Sequence, residues 1–572
     1  MSNYQDLSNF IWRICDDVFR GLFRPHEYGD VILPFVVLRR LDCVLEPQKD
    51  MVHKLFLEYK DKVKDPTPII LNKIGTTFFN ASKYDLKRLK EDQKNIHLNL
   101  NNYLNGYNDG VREIIENFQL DKPIEKLHKN NRLYMFIERF SEVDLHPDKV
   151  NNRLMGQVYE ELLRRFSEMS NETSGDHYTP RDIVRLLVSF LFAGEESSLK
   201  GKGIIRSMFD PCSGTGGLLT MGKEWVQENI NPEAEFILFG QELNPQSYAI
   251  CKSDMMMLGE NPNNIKGACS SLSYDQFQGK KFDYQITNPP FGVSWKSEEE
   301  FVKNESANPN GRFFVGTPRV SDGSLLFLQH MIAKMEDNGG RIGIVLNGSP
   351  LFTGDSGSGE SEIRKWIIEN DWLECIVALP DQMFFNTGIT TYIWIVTNKK
   401  KKNRRGKIQL INGAEFYQPM KKSLGSKRKL ITEEHILSLT KTYKSFEENE
   451  YSKIFPNEYF GYTKVTIEQP AKDEKGRIIL DKQGRPKPDS SLRDYERIPL
   501  MEDIDEYYER EVKPHLPESW MDRERDKVGY EINFTKYFYQ YKPLKSLKEI
   551  TKELLKLDKE SEGLFKTILD NK

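Results

Sequence analysis

The sequence predicts an α/β protein with a doubly wound, mainly parallel sheet over residues 151–420. A helical domain over 1–150 precedes it, and a mixed, mostly helical region over 421–572 follows. Three observations carry this reading. Short β-type runs alternate with helical stretches in the middle of the chain. Before them, apolar residues recur at helical spacing with no alternating strands. A glycine-rich turn follows the first β-type run. Alternation of strand and helix implies parallel strands with helices on both faces.

In the first 150 residues, "LSNFIWRICDDVFRGLF" and "VILPFVVLRRLDCVLE" repeat apolar residues at helical spacing, with a break near Pro25–Gly29. "NGYNDGVREIIENF" adds a helix after turn residues. The β-type runs that follow are "IIRSMFD", "FILFGQEL", "FDYQITN", "RIGIVLN", "LECIVALP" and "TYIWIVTN". Between them lie helix candidates such as "GSLLFLQHMIAKMED" and "GESEIRKWIIEND". Ligands of such sheets bind outside the carboxyl ends of the strands, so chemistry is expected just after these runs. Beyond residue 420, "VTIEQPAKDEKGRIILDKQGRPKPDSS" reads as extended segments joined by Gly-containing turns. Near the end, Leu544, Leu547, Ile550, Leu554 and Leu557 form one apolar stripe on a charged helix.

With 572 residues, 38% hydrophobic and 29% charged, the chain reads as a multidomain globular protein. No apolar run approaches the roughly 20 residues of a membrane span, and a signal-peptide pattern is lacking, so a cytoplasmic protein is expected. Cys15, Cys43, Cys212, Cys251, Cys269 and Cys375 are scattered without metal spacing, and the histidines are equally dispersed. Reduced thiols and no metal site are expected. A net charge of −4 argues against a chain that holds DNA unaided.

"IIRSMFDPCSGTGGLLTMG" is a strand, then Asp210, then a loop with Gly214, Gly216 and Gly217, then a helix. Glycines let such a loop bend tightly and approach a ligand. The spacing is not G-x-G-x-x-G, and a carboxylate at the strand end would repel a pyrophosphate. It suits a cation better, such as an ammonium or the sulfonium-bearing moiety of S-adenosylmethionine. A tight turn without a ligand is the competing reading. One β–α unit later, Glu242 ends "FILFGQE", where an acid accepts hydrogen bonds from ribose hydroxyls.

The next signal is Asn288-Pro289-Pro290-Phe291, directly after an apolar strand. An amide oxygen and a proline carbonyl can both accept from an exocyclic amino group and aim its lone pair at an electrophile. Prolines fix φ and remove competing donors. Phe291 could stack on a planar base. A strand stopped by prolines over a core phenylalanine is the alternative.

"DPCSGTGG" followed by "NPPF" resembles the S-adenosylmethionine-dependent amino-methyltransferases of DNA. More specifically, the chain is similar to the modification subunit (HsdM) of type I restriction–modification systems. "GDHYTPRDIVRLLV" resembles that family's cofactor segment, and "DGSLLFLQHMI", "GRIGIVLNGSPLF", "VALPDQMFFNTGITTYIWIVTN" and "VGYEINFTKYFY" resemble its later segments. The resemblance covers nearly the whole chain. It implies a Rossmann-like methyltransferase sheet, S-adenosyl-L-methionine as cofactor, and site-specific N6-methylation of adenine that protects host DNA from restriction. It places Asp176, His177, Tyr178, Thr179, Pro180, Arg181, Asp210, Ser213, Gly214, Thr215, Gly216, Gly217 and Glu242 around the cofactor. It places Asn288, Pro289, Pro290 and Phe291 on the flipped adenine.

The chain departs from the wider superfamily before the fourth strand, where an acid is usual and "GACSSLSYDQF" offers only Asp275. The implied partners are double-stranded DNA, a specificity subunit (HsdS), a restriction subunit (HsdR) and a second copy of this chain. The C-terminal helix is a candidate for docking the specificity subunit, or else it packs on its own domain. "KKKKNRRGK", Lys399–Lys407, reads as a phosphate contact or as a solvated loop. Competing functions are methylation of cytosine N4 or of a protein glutamine, and a non-catalytic assembly subunit.

Overall fold

The computed structural model describes residues 4–24, 27–151, 154, 155, 157, 158, 161, 162, 165, 179–539 and 547–557. Met1–Ile532 form one compact unit and Asn533–Lys572 a second. In the first unit, strands β1 (Ile205–Asp210), β2 (Glu235–Glu242), β3 (Ile265–Gly267), β4 (Tyr284–Thr287), β5 (Arg341–Asn347), β6 (Leu373–Ala378), β7 (Thr391–Thr397) and β8 (Lys407–Asn412) follow in order. A small hairpin of β9 (Gln418–Leu424) and β10 (Lys427–Leu430) comes next, then β11 (Ser452–Pro456).

Nine of these build one sheet in the order β11-β8-β6-β7-β5-β4-β1-β2-β3. Most pairs are parallel, while β7 runs antiparallel between β5 and β6, and β11 antiparallel to β8. Strands β6 and β7 are buried along their whole length, which is why they read as continuous apolar runs. The chain moves outward from β1 to β2 and β3 on one side, and from β4 to β5 on the other. The switch of direction falls between β1 and β4, where a crevice opens at the carboxyl edge.

The pleat of β1 sends Met208 and Phe209 to opposite faces. Met208 joins the cluster covered by α5 (Arg181–Phe192) and α6 (Gly217–Asn229), named after the four N-terminal helices below. Phe209 stacks among Phe239, Phe277 and Phe282. In the N-terminal region, α1 (Tyr4–Phe19), α2 (Tyr28–Leu45), α3 (Asp109–Asn117) and α4 (Leu133–Ser141) are the principal helices. Phe19, Phe35, Phe136 and Phe140 form their aromatic centre. This core extends onto Ala249, Ile250 and Met256 of α7 (Pro245–Met257). Glu113 of α3 also binds α7, accepting from Tyr248 Oη (2.5 Å) and Lys252 Nζ (2.6 Å). The helical region is thus anchored on a helix that also borders the crevice.

The helices expected to dominate the region beyond 420 share it with strands. Beside α8 (Glu433–Ser445), strands β12 (Gly461–Glu468), β13 (Asp494–Pro499) and β14 (Trp520–Tyr530) form an antiparallel sheet in the order β13-β12-β14. "GYTKVTIE" is rich in aromatic and β-branched residues, and its Val465 and Ile467 pack on Ile498. In the basic run, Lys400 is buried and donates to Asp371 (2.6 Å) and to the Lys407 carbonyl (2.8 Å). Arg404 is buried against Gln409 (3.0 Å) and the Tyr443 carbonyl. Two of its cations therefore hold the loop itself. Among the described residues, no helix is long and apolar enough to cross a membrane, and no cluster of three metal-ligating side chains occurs.

Candidate functional site

A cavity of about 520 Å³ lies at the carboxyl edge over the switch point. Its wall is built from the start of α5, the loop after β1, the end of β2, the segment after β3 and the tip after β4. Strand β1 delivers Asp210 at its last position, fully buried. Asp210 Oδ1 accepts from Thr287 Oγ1 of β4 (2.6 Å) and from the Cys212 amide (2.9 Å). Its Oδ2 is buried with no partner. Burial pushes its pKa up to about 7, against the two hydrogen bonds, and the Glu242 charge adds to the rise.

The loop then turns with Gly214 at φ +51° and Gly216 at φ +84°, and α6 starts at Gly217. At Gly216 a Cβ would stand 2.8 Å from Cys251 Sγ of α7, so packing as well as conformation demands glycine. Ser213, inside this turn, is buried and hydrogen-bonds the Cys251 thiol. Glu242 locks the loop from the neighbouring strand: Oε2 accepts from the Gly214 amide (2.8 Å) and Oε1 from the Asn244 amide (2.7 Å). Asn244 in turn caps α7, its Oδ1 accepting from the Ser247 amide (2.9 Å).

The tip after β4 enters from the other side. Asn288 Nδ2 donates to Thr179 Oγ1 (2.9 Å), while Asn288 Oδ1 is buried with no partner. Pro290 reaches the wall, Pro289 is buried, and Phe291 packs edge-on against Phe384 at 5.3 Å. Of the residues singled out in the sequence, Thr179, Arg181, Ser213, Gly214, Thr215, Gly217, Glu242, Asn288 and Pro290 line the cavity. Pro180, Asp210, Gly216, Pro289 and Phe291 stand behind that wall. Asp176, His177 and Tyr178 lie outside the described residues.

The wall also holds residues the sequence did not single out, among them Leu243, Asn244, Asp254, Ser270, Ser271 and Phe327. Ser270 and Ser271 escaped because β3 is three residues long and shows no strand pattern. Asp254 carried no signal, since the far end of a helix meets a cavity only once the helix is placed. Burial pushes its pKa up to about 7 as well, with Arg40 opposing. Asp275 is not on the wall; it binds Lys334 Nζ at 2.6 Å.

Comparison with known proteins gives two matches along the chain. The family model for N-6 DNA methylase matches residues 150–468, and that for the HsdM N-terminal domain matches residues 7–140. The chain belongs to the N-6 DNA methylase family. The methylase subunit of the type I restriction enzyme MjaIX from Methanocaldococcus jannaschii is 26% identical over 82% of each chain. That of HindI from Haemophilus influenzae is 32% identical over 46% of this chain and 55% of its own. A type I methyltransferase subunit from Streptococcus thermophilus superposes with a TM-score of 0.62 at 22% identity, covering 80% of this chain and 96% of its own. That likeness establishes the fold. Together the matches make the chain a methyltransferase and a modification subunit of the type I restriction–modification class.

Within that family frame the site fits S-adenosylmethionine on its own geometry. Ser213 of the loop stands on the wall, and Asp210 Oδ2 is a buried acceptor without a partner among the described residues just behind it. Glu242 is a fixed carboxylate on the wall one strand away. A second, unpartnered acceptor, Asn288 Oδ1, stands across the crevice. The arrangement can hold a cationic ligand on one side and an amino-bearing one on the other.

Proposed function

We propose that this N-6 DNA methylase transfers a methyl group from S-adenosyl-L-methionine to the N6 amino group of an adenine flipped out of double-stranded DNA. The observation that carries this is Asn288: its amide oxygen is buried, lacks a partner, and shares a cavity with the glycine loop and Glu242. S-adenosylmethionine, when bound, supplies a methyl group activated by its sulfonium. Glu242 would hold the ribose hydroxyls, and the loop from Asp210 to Gly217 the amino-acid end. Asn288 Oδ1 would accept one N–H of the adenine amino group, orienting its lone pair into the cavity. Catalysis is then positioning, with no general base needed before attack. Flipping the base costs a few kcal/mol, which the complex as a whole must supply.

The net charge of −4 and the two spent cations of the basic run support a division of labour. A specificity subunit would read the DNA, two copies of this chain would methylate it, and a restriction subunit would cut unmodified DNA. Such work belongs in the cytoplasm, with the chromosome. In the second unit, residues 547–557 are helical and Leu547, Ile550, Leu554 and Leu557 are exposed, which supports this stripe as the docking element; Leu544 lies outside the described residues. A chain cut at residue 540 should stay folded and lose co-purification with the specificity subunit.

The central test is transfer of labelled methyl to unmodified DNA by the complex carrying Asn288→Ala. The expected result is loss of at least about a hundredfold in rate, the scale of removing one preorganised group at a reacting centre. Full activity would remove Asn288 from the mechanism.

A further inference from the structure

We infer that Thr179 is a positioning residue for this reaction: its hydroxyl anchors the Nδ2 end of the Asn288 amide, so that Oδ1 is held toward the incoming base. The inference rests on the role proposed for Asn288. The two ends of an amide have nearly the same shape and opposite hydrogen-bonding polarity. Turned the wrong way, Asn288 would point its own donors at an amino group that must itself donate. Holding the Nδ2 end in place before the base arrives keeps Oδ1 toward it.

Thr179 Oγ1 lies 2.9 Å from Asn288 Nδ2 and accepts from it. That leaves Oδ1 as the free end, buried and without a partner among the described residues. Both residues stand on the wall of the same cavity, although 109 positions separate them in the chain. Pro289 and Pro290 of the tip have no N–H that could donate to Oδ1. A buried acceptor without a partner disfavours the folded state, and such atoms persist where a ligand brings the donor.

Thr179 is also held rigidly enough to act as a post. Pro180 follows it and restricts Thr179 to extended backbone. Pro180 then caps α5, its carbonyl accepting from the Val184 amide at 3.0 Å. In the first turn of α5, Asp182 is buried and accepts from Lys427 Nζ (2.8 and 3.0 Å) and from the Ile431 amide (3.0 Å). The start of α5 is therefore tied to β10, and Thr179 is fixed relative to the sheet edge. The family resemblance groups Thr179 with the cofactor residues. A cofactor contact would alter cofactor affinity, whereas a positioning role alters turnover at saturating cofactor.

The experiment uses the complete modification complex with tritiated S-adenosylmethionine and unmodified genomic DNA. Thr179→Val keeps the shape and removes the hydroxyl. Its kcat should fall about tenfold, with cofactor Kd within about twofold of the parent, and Thr179→Ser should recover most of the rate. If valine strains the turn, Thr179→Ala gives the same reading. Parent kcat in the hydroxyl-free variants overturns the inference. So does a loss of cofactor affinity that alone accounts for the lower kcat/KM. Asn288→Ala assayed in parallel separates the two ideas. If it is inactive while Thr179→Val turns over normally, only the role of Thr179 falls. If it is fully active, the proposed role of Asn288 falls and takes that of Thr179 with it.

Discussion

On α2 of the helical region, Asp42 accepts from Arg39 (3.3 Å) and from the Leu86 amide (3.0 Å), and nearby Lys49 donates to Asn80 (3.2 Å). At the carboxyl edge of the sheet, Asp210 and Asn288 each keep a buried oxygen without a partner among the described residues. Both places bury polar groups at comparable depth. Burial raises the pKa of Asp42 to about 6 and that of Asp210 to about 7. In the first, two cations and an amide answer the carboxylate. In the second, hydrogen bonds satisfy one oxygen and leave the other. A satisfied buried network serves the fold, whereas an unsatisfied one is what a ligand completes.

The largest effect expected from this contrast is on the satisfied side. Asp42→Ala would leave Arg39 and Lys49 buried with their buried counter-charge removed and only more distant carboxylates such as Glu46 and Asp85 remaining, at a cost of about 3 kcal/mol of stability. Thermal unfolding should show a drop of several degrees, while cofactor affinity of the folded protein stays at the parent value. A variant with normal melting and lost cofactor binding would break the contrast.

Asp210→Asn should do the reverse. Removing the carboxylate that stands behind the wall should weaken cofactor binding by about 1.5–3 kcal/mol, or roughly ten- to a hundredfold in Kd by calorimetry. Stability should not fall. The folded pKa of about 7 lies above the unfolded 3.8, so the folded protein holds this proton more tightly. The ligand-free parent therefore loses stability as pH rises from about 4 to 7, and the asparagine variant lacks that loss. The melting advantage of the variant should widen between pH 5 and pH 8. An advantage that shrinks over that range would contradict the assigned state of Asp210.

Glu242→Gln is a milder break of the same site. The carboxylate accepts from two backbone amides, and glutamine must turn its NH2 toward one of them. Cofactor affinity should fall about tenfold, with the loop after β1 loosened. Hydrogen exchange at the Gly214 amide reports that loosening directly. Unchanged protection there would mean that Glu242 does not hold the loop.

These sites were legible in the sequence to different degrees, for physical reasons. The glycine loop and the Asn288–Phe291 tip showed because each follows an apolar β-type run, and strand order then brings them together between β1 and β4. Thr179 was visible only through resemblance; its link to Asn288 is a tertiary contact across 109 residues that no local pattern encodes. Phe291 illustrates the converse. An aromatic residue after a tip suggests stacking on a base, but its edge-on contact with Phe384, a residue 93 positions away, is one that no local pattern encodes. The sheet at β12–β14 was underestimated because its strands are separated by long turn-rich segments.

The smallest effect expected concerns the adenine of the cofactor. The superfamily acid is absent before β4, and Asp275 is committed to Lys334 at 2.6 Å. Ser270 and Ser271 reach the cavity instead, and Ser271 Oγ donates to the Pro211 carbonyl (2.5 Å). Ser270 Oγ accepts only a long hydrogen bond from the Leu272 amide (3.3 Å), which leaves its proton for a ligand or water. Ser270→Ala should therefore weaken cofactor binding by about 1 kcal/mol, roughly fivefold. A hydroxyl both donates and accepts, so it distinguishes an amino group from a carbonyl poorly, whereas a carboxylate only accepts. Calorimetry with S-adenosylhomocysteine and its inosine counterpart should show little preference in the parent and a marked adenine preference in Ser270→Asp. Equal ratios in both proteins would move the adenine contact away from this segment and onto the Leu243–Asn244 side of the wall.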